Sequence, residues 1–494
     1  MKILLINPKT TGYSRSVTLP LGLLSIASTL LYHGHEVCIY DRTVDKSSIR
    51  SVFCAFHPEL VGISLISTKS VRDTFSLAAH AKKYGLPVVV GGPLASELPA
   101  AVLKHKEVDI VSIGEGEETW CELAAYYADH DRHLKDIAGI VYISGTETVF
   151  TKQRAFLDLE RLPAIDWSLV DVPRYFQSSY GCDKMLYLYS AKGCPNNCAF
   201  CFNKDFHRCH YRKRPLQALL QEIKHLVETY GMNGVYFADE LWCRNREEMH
   251  TTCDALKSLH LDFVWGCQTR IGQFDEDDFR YMYMSGCRWV FFGVESGSER
   301  ILRLMNKRIP YDKIVPTFSA CKKAGITAIA SFIVGFPGET EADLKETVAL
   351  IEKLDTHLVN LNYFALVPGS DIYKRLVAEG KYPSFDDIIT LQKMKPIEKM
   401  EYKFCSIPDI DIKVIRNWYM WRSFTSKDSS TGKGKSFAKK VIIDALKSIF
   451  RGSPAEFLFS AFRSGVEFLS VALYANAYPA VRKKYIGKQT GGDI

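Results

Sequence analysis

Three cysteines, Cys194, Cys198 and Cys201, stand within the stretch SAKGCPNNCAFCFN at spacing C-x3-C-x2-C. Clustered thiols in a chain without a secretory leader read as metal ligands before they read as disulfides. Three is an awkward number. A structural zinc site closes a tetrahedron with four ligands, and the spare residues are His207, Cys209 and His210. A cubane [4Fe–4S] cluster held by three thiolates is the other solution, with its last iron open to an outside ligand. Spacing alone admits both.

Other groups suited to chemistry sit where apolar runs end. FADELWC carries Asp239 and Glu240, carboxylates able to take charge-assisted hydrogen bonds from a cation. WGCQTRIG carries Arg270, a fork donor that matches a carboxylate. FFGVESGSERIL carries Glu295 and Ser296, and FIVGFPGETEADL carries the turn Gly335, Pro337 and Gly338. In the N-terminal part, Ser64, Ser67 and Thr68 close one run, Gly91 and Gly92 a second, Gly114 and Glu115 a third. Glycine lets a backbone approach a ligand closely, although it equally serves a tight turn.

These groups need a scaffold, and the hydrophobic pattern supplies one. KILLINP, HEVCIYD, LVGISLIS, PVVVGGP and DIVSIGEGE are strand runs separated by helical stretches such as LPLGLLSIASTLLYHG and VRDTFSLAAHAKKYG. Near-continuous Val/Ile/Leu strands alternating with helices predict an α/β doubly wound, Rossmann-like sheet. Ligands on such a sheet bind beyond the carboxyl ends of its strands. A second series follows: MLYLYS, GVYFAD, DFVWGC, WVFFGVES, AIASFIVGFPG and LVNLNYFALVPG. Six βα units predict a partial (β/α)6 barrel with its chemistry at the C-terminal strand ends. The expected division is 1–145 for the first sheet, 146–182 for a linker, 183–382 for the barrel and 383–494 for a helical region with a basic tail. Residues 423–435, SFTSKDSSTGKGK, read as flexible linker.

The cysteine motif after a first barrel strand, with Phe200 before its last cysteine, resembles the radical S-adenosylmethionine (SAM) superfamily. The resemblance spans about residues 180 to 375 and strengthens because further elements follow at matching strand ends. It implies that Cys194, Cys198 and Cys201 hold a [4Fe–4S] cluster whose open iron chelates SAM, and that an electron from the cluster yields a 5′-deoxyadenosyl radical. It also implies SAM contacts at Phe200, Asp239, Glu240, Arg270, Glu295, Ser296, Gly335, Pro337 and Gly338. The N-terminal part is similar to the B12-binding domain of the cobalamin-dependent branch. That implies cobalamin near Ser64, Ser67, Thr68, Gly91, Gly92, Gly114 and Glu115. NPKTTGYSRS, after the first strand, has no His to ligate cobalt.

The expected activity is methylation of an unactivated carbon, with SAM, a [4Fe–4S] cluster and cobalamin as cofactors and an electron donor such as flavodoxin or ferredoxin. Radical cyclisation, oxidation or carbon–carbon joining on a tetrapyrrole or lipid is the rival, and a non-catalytic cobalamin or cluster carrier the third reading. The chain has 494 residues, 47% hydrophobic and 24% charged, and reads as globular and cytoplasmic, with no apolar run long enough to span a bilayer. Its net charge of +7 is concentrated from Lys433 onward, where eleven Lys and Arg face four Asp and Glu. A neutral body argues against nucleic acid. In the tail, Phe437 to Gly452 place Val441, Ile442, Ala445, Leu446 and Ile449 on one helical face, and Arg482, Lys483 and Lys484 follow. That pattern suits a helical cap on the barrel or a peripheral contact with anionic lipid at the inner face of the membrane.

Overall fold

Burial on both faces explains the first sheet. In the computed structural model Ile3, Leu4, Leu5 and Ile6 are all fully buried, as a parallel strand covered by helices above and below must be. The structure describes all residues except 11–16, 130–131, 357, 386–404, 426–480, 482 and 486–494. The chain forms two compact units, 1–240 with 259–263 and 366–396, and 241–258 with 264–365 and 397–494.

The first unit opens with β1 (Lys2–Asn7), β2 (Glu36–Asp41), β3 (Leu60–Ser64), β4 (Val88–Gly91), β5 (Ile110–Ser112), β6 (Ile140–Ser144) and β7 (Glu147–Phe150). Their order is β2-β1-β3-β4-β5-β6-β7, and β1 to β5 are parallel. The order reverses between β1 and β3, the switch point at which such sheets open a crevice. Helix Glu117–Asp129 lays Trp120 on Gly62, where any Cβ would overlap the indole. The antiparallel hairpin β6–β7 extends the sheet past the boundary expected at 145. The expected linker is well tied down: Asp166 N–H donates to Ser28 Oγ at 2.9 Å and the Tyr175 hydroxyl to Asp41 Oδ2 at 2.8 Å.

The second series comprises β8 (Gln177–Ser179), β9 (Cys182–Leu188), the two-residue strands β10 (Ala191–Lys192) and β11 (Arg212–Lys213), β12 (Gly234–Phe237), β13 (Val264–Thr269), β14 (Cys287–Glu295), β15 (Thr327–Val334) and β16 (Val359–Tyr363). The sheet order is β16-β15-β14-β13-β12-β9-β8. β9 and β12 are parallel, as are β13 through β16, while β8 runs antiparallel to β9. Each of the six parallel strands is followed by a helix, which is the partial (β/α)6 barrel expected. β10 and β11 pair separately as a ribbon, Lys192 opposite Arg212.

In the second unit Trp242, Trp265, Trp289, Phe279, Phe292 and Phe318 are fully buried. Gly266 exists for this core, since a Cβ there would overlap the Trp289 ring. Capping boxes at Asp275 and Thr340 start two of its helices, each satisfying backbone N–H groups that helices leave open. Helix Asp409–Thr425 runs into the segment expected to be linker from 423. The amphipathic stretch 437–452 lies outside the described residues. Of the basic run that follows, Lys484 donates to Glu341 at 2.8 Å and to Asp411 at 2.7 Å, and the Tyr485 hydroxyl donates to Asp411 at 2.7 Å. No helix among the described residues is long and apolar enough to cross a membrane.

Candidate functional site

The cysteine loop starts where β9 ends, and its first residues are fixed by β12. Ser190 N–H donates to Asp239 Oδ1 at 2.7 Å, Ala191 N–H to the same oxygen at 3.0 Å, and the Ser190 hydroxyl to Oδ2. Asp239 is buried. Burial, with Glu240 beside it, pushes its carboxyl up to about 7 against the pull of those three donors. One residue on, Glu240 faces the loop: Gly193 N–H donates to its Oε2 at 3.0 Å and His207 Nε2 lies 3.4 Å from its Oε1. Burial works against its charge, yet His207 and the backbone donors outweigh burial and hold this carboxyl below the usual range. The two acids named together from sequence therefore separate. Asp239 anchors the loop, and Glu240 keeps a charged, partly exposed carboxylate beside it.

Gly193 must be glycine. Its φ is +82°, and a Cβ there would overlap the carbonyl of His210. Asn203 stitches the loop from within: its Nδ2 donates to Cys194 O at 2.7 Å and its N–H to Cys201 Sγ at 3.4 Å. Asn196 Nδ2 donates to Cys194 Sγ at 3.2 Å. Helix Asp371–Ala378 braces the outside, with Ile372 N–H on Ala199 O at 3.0 Å and Lys204 on Asp371 at 2.8 Å. Burial pushes the Cys201 thiol up to about 11, Asn203 N–H opposes this, and Cys198 and Cys194 raise it further by proximity. Metal binding at this loop must therefore release protons.

Each residue that could serve zinc as a fourth ligand is turned to another partner. His207 is turned to Glu240, His210 stacks on Phe156 at 5.1 Å, and Cys209 Sγ donates to Asn196 O at 3.7 Å. Among the described residues no three His, Cys, Asp or Glu side chains converge on one ion. Thiolates that each bind a different iron of a cubane need not converge.

At the edge of the first sheet, Ser64 ends β3, Ser67 and Thr68 lead into a short 3-10 turn, and Gly91 ends β4. Gly92 has φ +105° and packs so closely on the Leu65 backbone that a Cβ would lie 3.0 Å from its oxygen. Gly114, at φ +76°, has nothing within 4 Å of where a Cβ would stand. Ile66 is 56% exposed on the same edge. Small side chains, open glycines and one exposed apolar residue suit a large, flat ligand approached through the backbone. Glu115 does something else: its carboxylate is gripped by Arg212 at 2.8 Å through both oxygens, and Lys192 lies 3.4 Å away. The NPKTTGYSRS loop lies outside the described residues from 11 to 16.

In the second unit the expected positions also close parallel strands. Arg270 follows β13 and donates to Arg308 O. Glu295 ends β14 at φ +69° and pairs with Lys307 at 2.9 Å, both side chains only 10% exposed. Gly293 leaves the room for that pair. Ser296 is fully buried, its hydroxyl 3.2 Å from Thr347 Oγ1. Gly335 and Gly338 have φ of +83° and +86°, and neither has a close neighbour where a Cβ would be. Gly335 and Phe336 N–H groups both donate to Glu339 Oε2, so Glu339 shapes this turn from inside. Burial pushes its carboxyl up to about 7. Sequence reasoning placed Glu339 only at a helix start and passed over Asn203, Arg212 and Lys307.

The Radical SAM superfamily profile matches residues 188–351 and the B12 binding domain profile residues 10–124. The chain carries both a radical SAM domain and a B12-binding domain. It is 28% identical to an uncharacterized methyltransferase of Pyrococcus horikoshii over 440 residues, 84% of this chain and 95% of that one. It is 26% identical to the cytidylyl-2-hydroxyethylphosphonate methyltransferase of Streptomyces wedmorensis over 440 residues, 77% of this chain and 82% of that one. In fold it is similar to the radical SAM methyltransferase TsrM from Kitasatospora setae, solved with cobalamin and a [4Fe-4S] cluster bound. The TM-score is 0.64 at 18% identity, covering 76% of this chain and 75% of that one.

The radical SAM domain implies a [4Fe–4S] cluster and SAM as cofactors and the B12-binding domain cobalamin, and the residues present fit them. The loop offers three thiols with N–H donors already aimed at two sulfurs. Beside it stands an anionic carboxylate suited to an ammonium. The open glycines of the first sheet leave space for a corrin.

Proposed function

We propose that the protein is a cobalamin-dependent radical SAM C-methyltransferase acting on an unactivated carbon of a small hydrophobic or natural-product substrate, a lipid or tetrapyrrole among them. Residues 1–145 would carry cobalamin and residues 183–382 the cluster and SAM. One observation supports the pairing above all: the ribbon that leads into Cys194 grips the turn Gly114–Glu115 on the cobalamin edge, through Lys192 and Arg212.

When bound, the cluster supplies the electron that splits the sulfonium of SAM, and cobalamin carries the methyl group. The chain's own residues bind and orient. Cys194, Cys198 and Cys201 would hold the cluster as thiolates, while Asn196 Nδ2 and Asn203 N–H donate to sulfur and stabilise the added charge. Glu240 would accept from the SAM ammonium, held at its angle by Gly193 N–H and His207. The turn from Gly335 to Gly338 offers bare backbone for an adenine, and Arg270 a fork for a carboxylate. No proton acceptor is needed to remove a hydrogen atom, and none is assigned. A flavodoxin- or ferredoxin-like protein would deliver the electron. Lys484, spent on Glu341 and Asp411, favours the tail as a cap on the barrel over a membrane contact.

The test is anaerobic turnover with methyl-labelled SAM against lipid and tetrapyrrole extracts. Methyl transfer predicts a labelled product with both S-adenosylhomocysteine and 5′-deoxyadenosine. A rearranged or cyclised product with no S-adenosylhomocysteine would overturn the methyl-transfer reading.

A further inference from the structure

Four charges meet within the first unit, two on the ribbon, one on the turn after β5 and one at the start of the helix Glu117–Asp129. Arg212 Nη1 lies 2.8 Å from Glu115 Oε2, and its Nη2 lies 2.8 Å from Oε1. Lys192 Nζ lies 3.4 Å from Glu115 Oε1 and 3.2 Å from Glu117 Oε1. Ser25 Oγ donates to Glu117 at 2.6 Å. Lys192 and Arg212 are cross-strand partners in the ribbon, so one short element presents both cations. Lys192 is two residues before Cys194, and Glu115 directly follows Gly114.

The linker locks the same knot. Leu157 N–H donates to Glu115 Oε2 at 3.2 Å, and Arg212 Nη1 donates to Leu157 O at 3.0 Å. Phe156 stacks on His210 at 5.1 Å, with the guanidinium carbons of Arg208 and Arg212 at 3.7 and 4.5 Å from its ring centre. Glu115 and Arg212 side chains are 12% and 11% exposed. Charges so withdrawn from water stabilise a fold poorly, because desolvation offsets most of their attraction. A bidentate fork does fix separation and angle together. The arrangement is costly as glue and well made as a spacer.

We propose that Glu115, Arg212 and Lys192 are positioning residues that set the distance between the cobalamin on the first sheet and the cluster in the cysteine loop. The inference rests on the function proposed above. None of the three touches the reacting atoms. They hold the two supporting turns in one register, so that a methyl group and a substrate carbon meet at reacting distance. Misplacement by about 1 Å costs such reactions about a hundredfold.

The test uses the holoprotein, with the cluster reduced and cobalamin as cob(II)alamin, and measures the cobalt–cluster distance by pulsed dipolar EPR. The native protein should give one narrow distance. Arg212→Met and Glu115→Gln should each lose it, giving a broad or displaced distribution with both cofactors still bound. The double variant Glu115→Gln/Arg212→Gln should be no broader than the worse single, because both changes break one contact. Arg212→Lys, which keeps the charge and loses the fork, serves if the larger change prevents folding, and should broaden the distance as well. An unchanged narrow distance in all folded variants with both cofactors bound would overturn this inference and leave the function standing. A native holoprotein that takes up no cobalamin would overturn both.

Discussion

Asp239 holds Ser190 twice, through the backbone N–H at 2.7 Å and through the hydroxyl. An acid buried in this way makes the start of the cysteine loop pH-sensitive. Its carboxyl moves from an ordinary 3.8 to about 7 on folding, so the folded state binds the proton more tightly. The contribution of Asp239 to stability is fully present below 3.8, is lost as pH rises through about 7, and is flat above. Every tenfold gain in proton affinity on folding is worth about 1.4 kcal/mol. The metal-free protein should melt lower at about pH 8 than at about pH 5.5. Asp239→Asn, which can accept from both N–H groups and donate to Ser190 Oγ, should flatten that slope. Glu339, shifted in the same direction, should keep part of it. Calorimetry of both proteins across pH decides; an equally steep slope in the variant would exclude Asp239 as its source.

Gly193→Ala should cripple the loop. A Cβ at φ +82° would overlap His210 O, and strained backbone alone costs about 1–3 kcal/mol. We expect a lower melting temperature and much reduced iron per chain after anaerobic reconstitution. Full iron content would show that the loop relaxes.

Cys194→Ala, Cys198→Ala and Cys201→Ala should each abolish the [4Fe–4S] signal and SAM cleavage. Cys209→Ala should retain both, because the Cys209 thiol is turned to the Asn196 carbonyl at 3.7 Å. Iron and sulfide analysis with EPR distinguishes these outcomes; cluster loss in Cys209→Ala would restore the four-ligand reading.

Lys307→Met would leave Glu295, only 10% exposed, without its cationic partner. Removing one partner of a buried pair costs about 3–5 kcal/mol. Chemical denaturation should show a loss of that order, and Glu295→Gln/Lys307→Met should recover much of it. A double variant as unstable as the single would place the cost in packing.

Cobalamin should bind without a protein nitrogen on cobalt, since NPKTTGYSRS offers no histidine. The cob(II)alamin EPR spectrum should lack the splitting that an axial imidazole gives.

The parallel strands were legible because each is a near-continuous apolar run, and β1 through β5 fell where those runs lie. The ribbon β10–β11 was not, because two residues per strand carry no period. Nor could the sequence apportion Asp239 and Glu240: adjacent acids look alike until one closes on Ser190 and the other on Gly193. Lys307 stands twelve residues beyond Glu295 across a helix and a turn, a separation that no local pattern marks. Ser423 to Thr425 looked like linker from their polarity, yet they complete a helix whose earlier residues Ile412, Val414 and Ile415 are buried. Tertiary packing overrode composition there.

The ribbon also bears on how the protein matures. β10 and β11 pair across the cysteine loop, and Arg214 N–H closes onto Ser190 O at 2.9 Å. Residues 193–211 are thus a ring tied at its neck by backbone hydrogen bonds that need no iron. Closing the ring, the entropic toll on any loop of this length, is met by folding itself. The loop can therefore close before any metal arrives. The three thiols then stand on a neck whose hydrogen bonds do not depend on iron.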